Sequence, residues 1–264
     1  MIEQTQKKPL KLFIATPAFG NSLTTTFVNS LIKFMSTSPD IDLPYQTIFH
    51  TQSGLALVTQ ARNNCVSEFM KSGSDYLLFI DADIGFEPEN IKKILRRCNE
   101  TKGVVLAPYP VKNYSGVNRS INFIIHFIDQ NNIQVDKEGF IKCKAGPTGF
   151  MMIHRSVFEK LMKTFPEKKT FISQVMGVSL ENKNDFWYTF FETDVDPVNG
   201  YLGEDIAFCN LCNKIGIEIQ ADTKAHLIHY GGHAFHGSLE MTFKNNQLKH
   251  TINYVEELPK NKKK

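Results

Sequence analysis

One short segment constrains the fold more than any other. Five consecutive hydrophobic residues, Tyr76–Ile80, run directly into the acidic sequence Asp81-Ala82-Asp83. An all-apolar strand of this length is typical of the centre of a parallel sheet, where helices cover both faces. In an extended chain, residues two apart point the same way. We therefore expect both carboxylates to reach one spot at the carboxyl edge of an α/β sheet, where ligands bind in such folds.

The pattern around this segment also predicts an α/β sheet, because apolar runs alternate with amphipathic ones through the first hundred residues. The expected strands cover residues 11–16, 45–49, 76–80 and 104–107. The expected helices cover residues 22–35, 55–71 and 89–98. Pro17 and Gly20 are expected to break the first strand, Gly73 to end the second helix, and Pro88 to lie in the first turn of the third.

Beyond Pro110 the pattern is less regular. Strand-like pieces occur at residues 121–127 and 151–154, an alternating stretch at 186–191, and helical patterns at 157–163 and 204–215. No linker rich in Gly, Ser or Pro separates two halves. We expect a single α/β domain over residues 11–240, with an N-terminal extension (1–10) and a C-terminal extension (241–264).

Composition excludes several classes of protein. The chain has 264 residues, 42% of them hydrophobic, which is enough to bury a sizeable core. Its apolar runs are too short to span a bilayer or to form a secretory leader, so we expect a cytoplasmic protein without a transmembrane segment. The basic tail (Lys260, Lys262, Lys263 and Lys264) is expected to be solvated. The sequence has no basic stripe with interleaved aromatic residues, so we expect no nucleic-acid partner.

The five cysteines are expected to be packing thiols. An odd number in a chain without an export signal argues against a disulfide framework. Cys209 and Cys212 form a single CxxC pair, with no second pair to complete a tetrahedral zinc site.

The pair Asp81 and Asp83 is the first candidate functional site, and its chemistry suits a bound metal ion. Two carboxylates are costly to hold together unless a cation lies between them, and a divalent ion with oxygen ligands is the natural occupant. Such an ion would keep open positions for phosphate oxygens. The alternative is that the pair is only a solvated turn after a strand.

Six further segments stand in a definite order around this motif. In the chain they read ATPAFG, QARNNCVSEF, APYPVK, GPTGFMMIHRSVFEKL, GEDIAFCNLCNKIG and HLIHYGG. With YLLFIDADIGF, they resemble the nucleotide-sugar glycosyltransferases of the GT-A fold, closest to the family 2-like and Anp1-type mannosyltransferase-like branches with bacterial and viral members. The resemblance implies a Rossmann-like, mostly parallel central sheet flanked by helices. Residues 11–110 would be the nucleotide-binding half and residues 111–240 a less regular acceptor half.

The resemblance also implies a donor site. Asp81 and Asp83 would bind Mn²⁺ or Mg²⁺ on the diphosphate of a UDP- or GDP-linked sugar. The residues expected to contact this nucleotide sugar are Thr16, Pro17, Ala18, Arg62, Asp81, Ala82, Asp83, Lys112 and Gly149. A guanidinium suits phosphate or uracil carbonyls, although Arg62 could instead be a surface charge. The glycine of the GPTGF segment could serve only a bend.

The Glu204-Asp205 pair matches the family's Glu-Asp at the start of a helix. We expect Asp205, with Glu204 beside it, to accept the proton of an acceptor hydroxyl, and the helix N-terminus to favour the ionised carboxylate. The alternative is that both acids only stabilise the helix dipole.

Four histidines lie within eleven residues: His226, His229, His233 and His236. Histidine is a common metal ligand, and on its own this cluster could be a zinc site. The family places a His-x-Gly after the last strand as a further ligand, which His229 fits best. His233 is the second choice, and His226 and His236 are expected to be structural or to face the acceptor.

The sequence therefore predicts a metal-dependent glycosyltransferase that moves a sugar from a nucleoside-diphosphate donor to a hydroxyl of a glycan or glycoconjugate. Dinucleotide-binding and P-loop glycine motifs are absent, as is the nucleophile elbow of esterases. Two rival functions stay open: a sugar-phosphate nucleotidyltransferase, and a non-catalytic carbohydrate-binding module of the same fold.

Overall fold

The structure is a computed structural model of the chain that describes residues 8–115, 120–170, 186–198, 200–244 and 252–259. The helices in these ranges are α1 (Thr25–Met35), α2 (Val58–Ser72), α3 (Pro88–Thr101), α4 (Arg155–Thr164), α5 (Glu204–Lys214) and α6 (Leu239–Lys244). The strands of the first half are β1 (Leu10–Ala18), β2 (Tyr45–Ser53), β3 (Tyr76–Ile80), β4 (Ile84–Gly85), β5 (Val104–Leu106) and β6 (Pro110–Ser115). The later strands are β7 (Ser120–Phe123), β8 (His126–Phe127), β9 (Ile133–Asp136), β10 (Phe140–Ala145), β11 (Phe150–His154), β12 (Asp194–Asp196), β13 (Gly200–Leu202), β14 (Ile219–Asp222), β15 (Leu227–Tyr230), β16 (Ala234–Gly237) and β17 (Ile252–Val255).

A central sheet of eight strands organises the molecule, in the order β2-β1-β3-β11-β5-β14-β10-β8. Strand β1 pairs in parallel with β2 and β3, and β5 pairs in parallel with β14. Strands β11 and β10 run antiparallel to their neighbours, so all the other strands of the sheet share one direction. The predicted α/β architecture with a mostly parallel sheet is confirmed.

Helices cover both faces of the sheet, as the all-apolar β3 segment predicts. Leu77 and Phe79 belong to a core cluster with residues of α2, α4 and α5. Tyr76, Leu78 and Ile80 belong to a second cluster with residues of α1 and α3. The period-two alternation along a strand divides one run of five hydrophobic residues between two cores.

The observed elements differ from the expected ones in three places. The strand expected at residues 121–127 is two short strands of different sheets, because β7 pairs with β6 whereas β8 pairs with β10. Strand β1 continues through Pro17 to Ala18, because beyond Ala15 it pairs with β2 and no longer with β3, and a proline is tolerated where one neighbour suffices. Residues 186–191 form no strand; Tyr188 makes an isolated bridge to Lys169. The aromatic side chains of this stretch pack into the core instead of extending a ladder, and Phe191 stacks on Phe208 of α5.

Other predicted elements agree with the structure. Gly73 ends α2 in the left-handed conformation (φ 63°), and Pro88 lies in the first turn of α3. All five cysteines are buried free thiols, so the expected packing role is confirmed. In the part of the chain that the structure describes, no helix is long and apolar enough to span a membrane.

The expected halves share the central sheet. Strands β10, β11 and β14 come from the second half, and β11 lies between β3 and β5 of the first. The C-terminal extension contributes β17, which pairs in parallel with β9. The four lysines of the basic tail and residues 1–7 lie outside the described residues.

Candidate functional site

A cavity of about 540 Å³ opens where β1 and β3 end and α1 begins. It is lined by Pro17, Ala18, Phe19, Ser22, Leu23, Thr24, Gln52, Leu55, Ala56, Val58, Ala61, Arg62, Asp81, Ala82, Asp83, Tyr230, Gly231 and Gly232. Six of the nine expected donor-site residues are therefore in its wall. Of the other three, Lys112 and Gly149 contact wall residues, whereas Thr16 is fully buried in β1.

The acidic motif forms a turn and not an extended chain. The Ile84 amide donates to the Asp81 carbonyl at 3.1 Å, and the Asp81 amide donates to the Gly149 carbonyl at 2.9 Å. The expectation that both carboxylates reach one spot therefore needs correction. Both side chains line the same cavity, but the turn directs Asp81 and Asp83 to different partners.

Arg62 is the partner of Asp81. Its side chain on α2 is buried, and its Nη2 lies 3.0 Å from Asp81 Oδ1 while its Nε donates to Glu204 Oε1 at 3.1 Å. Burial opposes the charge of the guanidinium, but the two carboxylates hold its pKa above the ordinary value. Arg62 is therefore not a surface charge. Its Nη1 is buried and has no hydrogen-bond partner among the described residues.

Asp83 faces a histidine and a lysine. Its Oδ1 lies 3.6 Å from His229 Nε2, and its Oδ2 accepts from Lys112 Nζ. The contact with His229 arises because β15 pairs with β4 directly after the acidic motif, with His229 opposite Ile84. The Tyr230 amide also donates to the Asp83 carbonyl at 2.9 Å. Two segments far apart in sequence thus place an imidazole beside the second aspartate.

The imidazole of His229 is held in one tautomer. Its Nδ1 lies 2.7 Å from the Pro110 carbonyl, which can only accept, so Nδ1 carries a proton, and in the neutral ring Nε2 then has its lone pair on the side of Asp83. The ring of Tyr109 packs edge-on against it at 4.8 Å between centroids. Desolvation lowers the pKa of His229 and so favours the neutral form that binds metals.

The side chains of Asp83 and His229 together offer ligand atoms that suit a divalent cation. One oxygen and one lone-pair nitrogen face each other, and a carbonyl fixes the far nitrogen of the ring, as metal-binding histidines require. In the described ranges no three His, Cys, Asp or Glu side chains form a ready-made metal cluster. Asp81, the other expected ligand, directs its carboxylate to Arg62. Further ligands of such an ion would have to come from a bound molecule or from Asp81 after rearrangement.

Gly149 allows the chain to approach Asp81 closely. A Cβ atom at this position would lie 2.5 Å from both Asp81 Oδ2 and the Tyr109 hydroxyl oxygen. Any larger residue would push these groups apart, so the glycine serves more than a bend. Tyr109 is a site residue that was not predicted from the sequence, and burial raises its pKa well above the ordinary value.

The N-terminus of α1 forms another part of the cavity wall. Thr24 caps this helix by accepting from the Phe27 amide at 3.2 Å, and its amide and hydroxyl both donate to the Ala82 carbonyl. The acidic turn is thereby fixed to the positive end of a helix dipole, an arrangement that favours anionic ligands.

The acids at the start of α5 have separate roles. Glu204 is held by Arg62, so its carboxylate belongs to the buried ion-pair network. Asp205 accepts from the Ile206 amide at 2.8 Å, and burial raises its pKa. This differs from the expectation that the helix N-terminus favours the ionised form, because desolvation outweighs the hydrogen bond from the Ile206 amide. Neither acid lines the cavity, but Glu204 is connected to it through Arg62.

The other histidines of the cluster point elsewhere. His226 and His236 are exposed, with ring centroids 6.2 Å apart, and His233 packs on Phe235 at 4.1 Å. His229, in contrast, contacts the acidic motif through Asp83.

The chain is similar to known proteins in sequence pattern and in fold. Residues 47–162 match the family described as Glycosyl transferase family 2. Among solved structures, A197 from STIV is 17% identical with a TM-score of 0.51, covering 88% of this chain and 91% of that one. GalNAc-T7, solved with UDP, GalNAc and Mn²⁺, is 10% identical with a TM-score of 0.49, and the match covers 84% of this chain and 43% of that one. No curated protein sequence matches the chain.

The matched segment runs from β2 to α4 and includes Arg62, the acidic motif, Lys112 and Gly149. The predicted GT-A fold and the predicted resemblance to glycosyltransferases are confirmed. Family match and fold together support a glycosyltransferase as the class of protein.

Proposed function

We propose that the chain transfers a sugar from a nucleoside-diphosphate sugar, UDP- or GDP-linked, to a hydroxyl of a glycan or glycoconjugate, with Mn²⁺ or Mg²⁺ bound at Asp83 and His229. The observation that carries this proposal is the Asp83–His229 pair, whose imidazole presents an unprotonated Nε2 to the carboxylate beside the cavity. A bound divalent ion would neutralise charge that develops on the departing diphosphate.

Three features of the chain suit the diphosphate. The capped N-terminus of α1 lines the cavity and offers a positive dipole end. Arg62 lines it with a buried Nη1 that has no hydrogen-bond partner in the described residues, and buried donors of this kind are rarely left unpaired. Lys112 brings an ammonium to Asp83.

Asp205 is the proposed proton acceptor for the acceptor hydroxyl. A carboxyl whose pKa is raised by burial is a stronger base when ionised than an ordinary aspartate. Glu204, in contrast, is committed to Arg62, so we assign it a positioning role: it helps to hold the guanidinium that also pairs with Asp81.

The test is the product formed from a panel of UDP- and GDP-linked sugars incubated with Mn²⁺. A transferase without acceptor slowly releases free sugar and nucleoside diphosphate by using water, and Asp205→Asn should slow this release. Formation of pyrophosphate from a sugar phosphate and a nucleoside triphosphate would instead identify a nucleotidyltransferase. Absence of both reactions, with retained sugar binding, would identify a binding module.

A further inference from the structure

Lys112 occupies a position in which it competes with the proposed metal ion. Its Nζ contacts Asp83 Oδ2, while Asp83 Oδ1 lies 3.6 Å from His229 Nε2. The two oxygens of one carboxylate are therefore shared between an ammonium and the proposed metal ligand. A divalent cation between Asp83 and His229 would lie beside a positive charge, and two cations on one carboxylate repel each other.

We propose that Lys112 is a mobile counter-ion: its ammonium holds Asp83 before a divalent ion binds, leaves Asp83 when the ion arrives, and then contacts the diphosphate of the donor. This inference rests on the proposed function, because it assumes a metal at Asp83 and His229. Lys112 thus acts both before and after the metal binds. Removing its charge should therefore change the affinity for the metal and the affinity for the sugar donor in opposite directions.

The surroundings of Lys112 allow this movement. Its side chain is 38% exposed, and its stem passes over Gly231 in the cavity wall. A Cβ at position 231 would lie 2.4 Å from Lys112 Cδ and 2.9 Å from Cγ. The glycine thus provides the space through which the lysine stem reaches Asp83. A flexible lysine stem can carry its ammonium from Asp83 toward the cavity without moving the backbone.

The proposal predicts effects of opposite sign. In Lys112→Met, Asp83 is freed of its competitor, so Mn²⁺ alone should bind about threefold more tightly, the scale expected for a partly exposed ion pair. In the same variant, binding of a nucleoside diphosphate at saturating Mn²⁺ should weaken by about tenfold, because a charge-assisted contact is lost. A lysine that only supports the fold would not produce this reversal.

The experiment is calorimetric titration of the full chain with Mn²⁺ alone, and then with UDP and GDP at saturating Mn²⁺. Lys71→Met is the matched control, because Lys71 pairs with Glu68 on the exposed side of α2 and should change neither affinity. Gly231→Ala is a second variant: its Cβ displaces the lysine stem, so Mn²⁺ should again bind more tightly although the charge is kept.

The outcomes separate this inference from the proposed function. Tighter Mn²⁺ binding with weaker diphosphate binding in Lys112→Met supports the mobile counter-ion. Unchanged or weaker Mn²⁺ binding in both Lys112→Met and Gly231→Ala overturns it and leaves the metal site standing. If the unaltered chain binds no Mn²⁺ and its affinity for the nucleoside diphosphate is the same with and without the ion, the metal role in the proposed function fails as well.

Discussion

Replacing Arg62 by methionine should destabilise the chain far more than a typical arginine substitution. Arg62 is 4% exposed and pairs with Asp81 and Glu204, whose side chains are 27% and 17% exposed. Removing one partner of a buried ion pair costs about 3–5 kcal/mol, because the remaining charge is left uncompensated. Since both acids keep some contact with water, we expect the lower end, about 3 kcal/mol. For a chain of this size that corresponds to a fall in Tm of roughly 6–12 °C.

The control is Arg96→Met. Arg96 also pairs with an aspartate, Asp40, at 2.7 Å, but its side chain is 50% exposed, and such pairs contribute about 0–1 kcal/mol. Urea unfolding of both variants measures the difference. Adding Glu204→Gln to Arg62→Met should recover about 1 kcal/mol, because it removes one orphaned charge. If Arg62→Met is no less stable than Arg96→Met, the buried ion pairs of Arg62 do not stabilise the fold.

Three further predictions concern single residues of the site. In His229→Ala, Mn²⁺ affinity measured by titration should fall by at least about tenfold. The controls His226→Ala and His236→Ala alter exposed rings and should leave this affinity unchanged. A larger loss of affinity in either control would show that the metal ligand is misassigned. In Asp205→Asn, transfer should slow by roughly 10²-fold or more with donor affinity retained. Because burial raises the pKa of Asp205, the protonated carboxyl stabilises the folded chain at low pH, and this stabilisation is lost as pH rises through the raised pKa. At neutral pH Asp205→Asn should therefore have a higher Tm than the unaltered chain, and a lower Tm would contradict this sign. In Gly149→Ala, the added Cβ must displace Asp81 and Tyr109, so nucleoside diphosphate binding should be largely lost in calorimetry, and unaltered binding would mean that the contact is not needed.

The fold could be predicted from the sequence where one local signal fixes the structure. The all-apolar run at Tyr76–Ile80 requires cover on both faces, so the central strand and its helical layers could be predicted. The aromatic stretch at 186–191 could not, because its alternation reflects packing on α4 and α5 and not a strand ladder.

The arrangement of the site was harder to predict than its residues. Arg62, Asp83 and His229 could be named from motifs, but their partners depend on contacts between distant segments. The pairing of β15 with β4 brings His229 to Asp83, and the turn after Asp81 sends that carboxylate to Arg62. Tyr109 carried no signal beyond its place in the APYPVK segment, although its ring packs on His229.

In the proposed function, Asp83 and His229 hold a divalent ion on a nucleoside diphosphate. Calorimetric titration with UDP and GDP, with Mn²⁺ or with a chelator, tests it most directly in the unaltered chain, in Asp83→Ala, and in the control Asp129→Ala on an exposed loop. We predict that one of the two nucleotides binds at least about tenfold more tightly with Mn²⁺. Asp83→Ala should lose that gain, and Asp129→Ala should keep it. Equal affinity with and without the ion, or an undiminished gain in Asp83→Ala, would contradict the account.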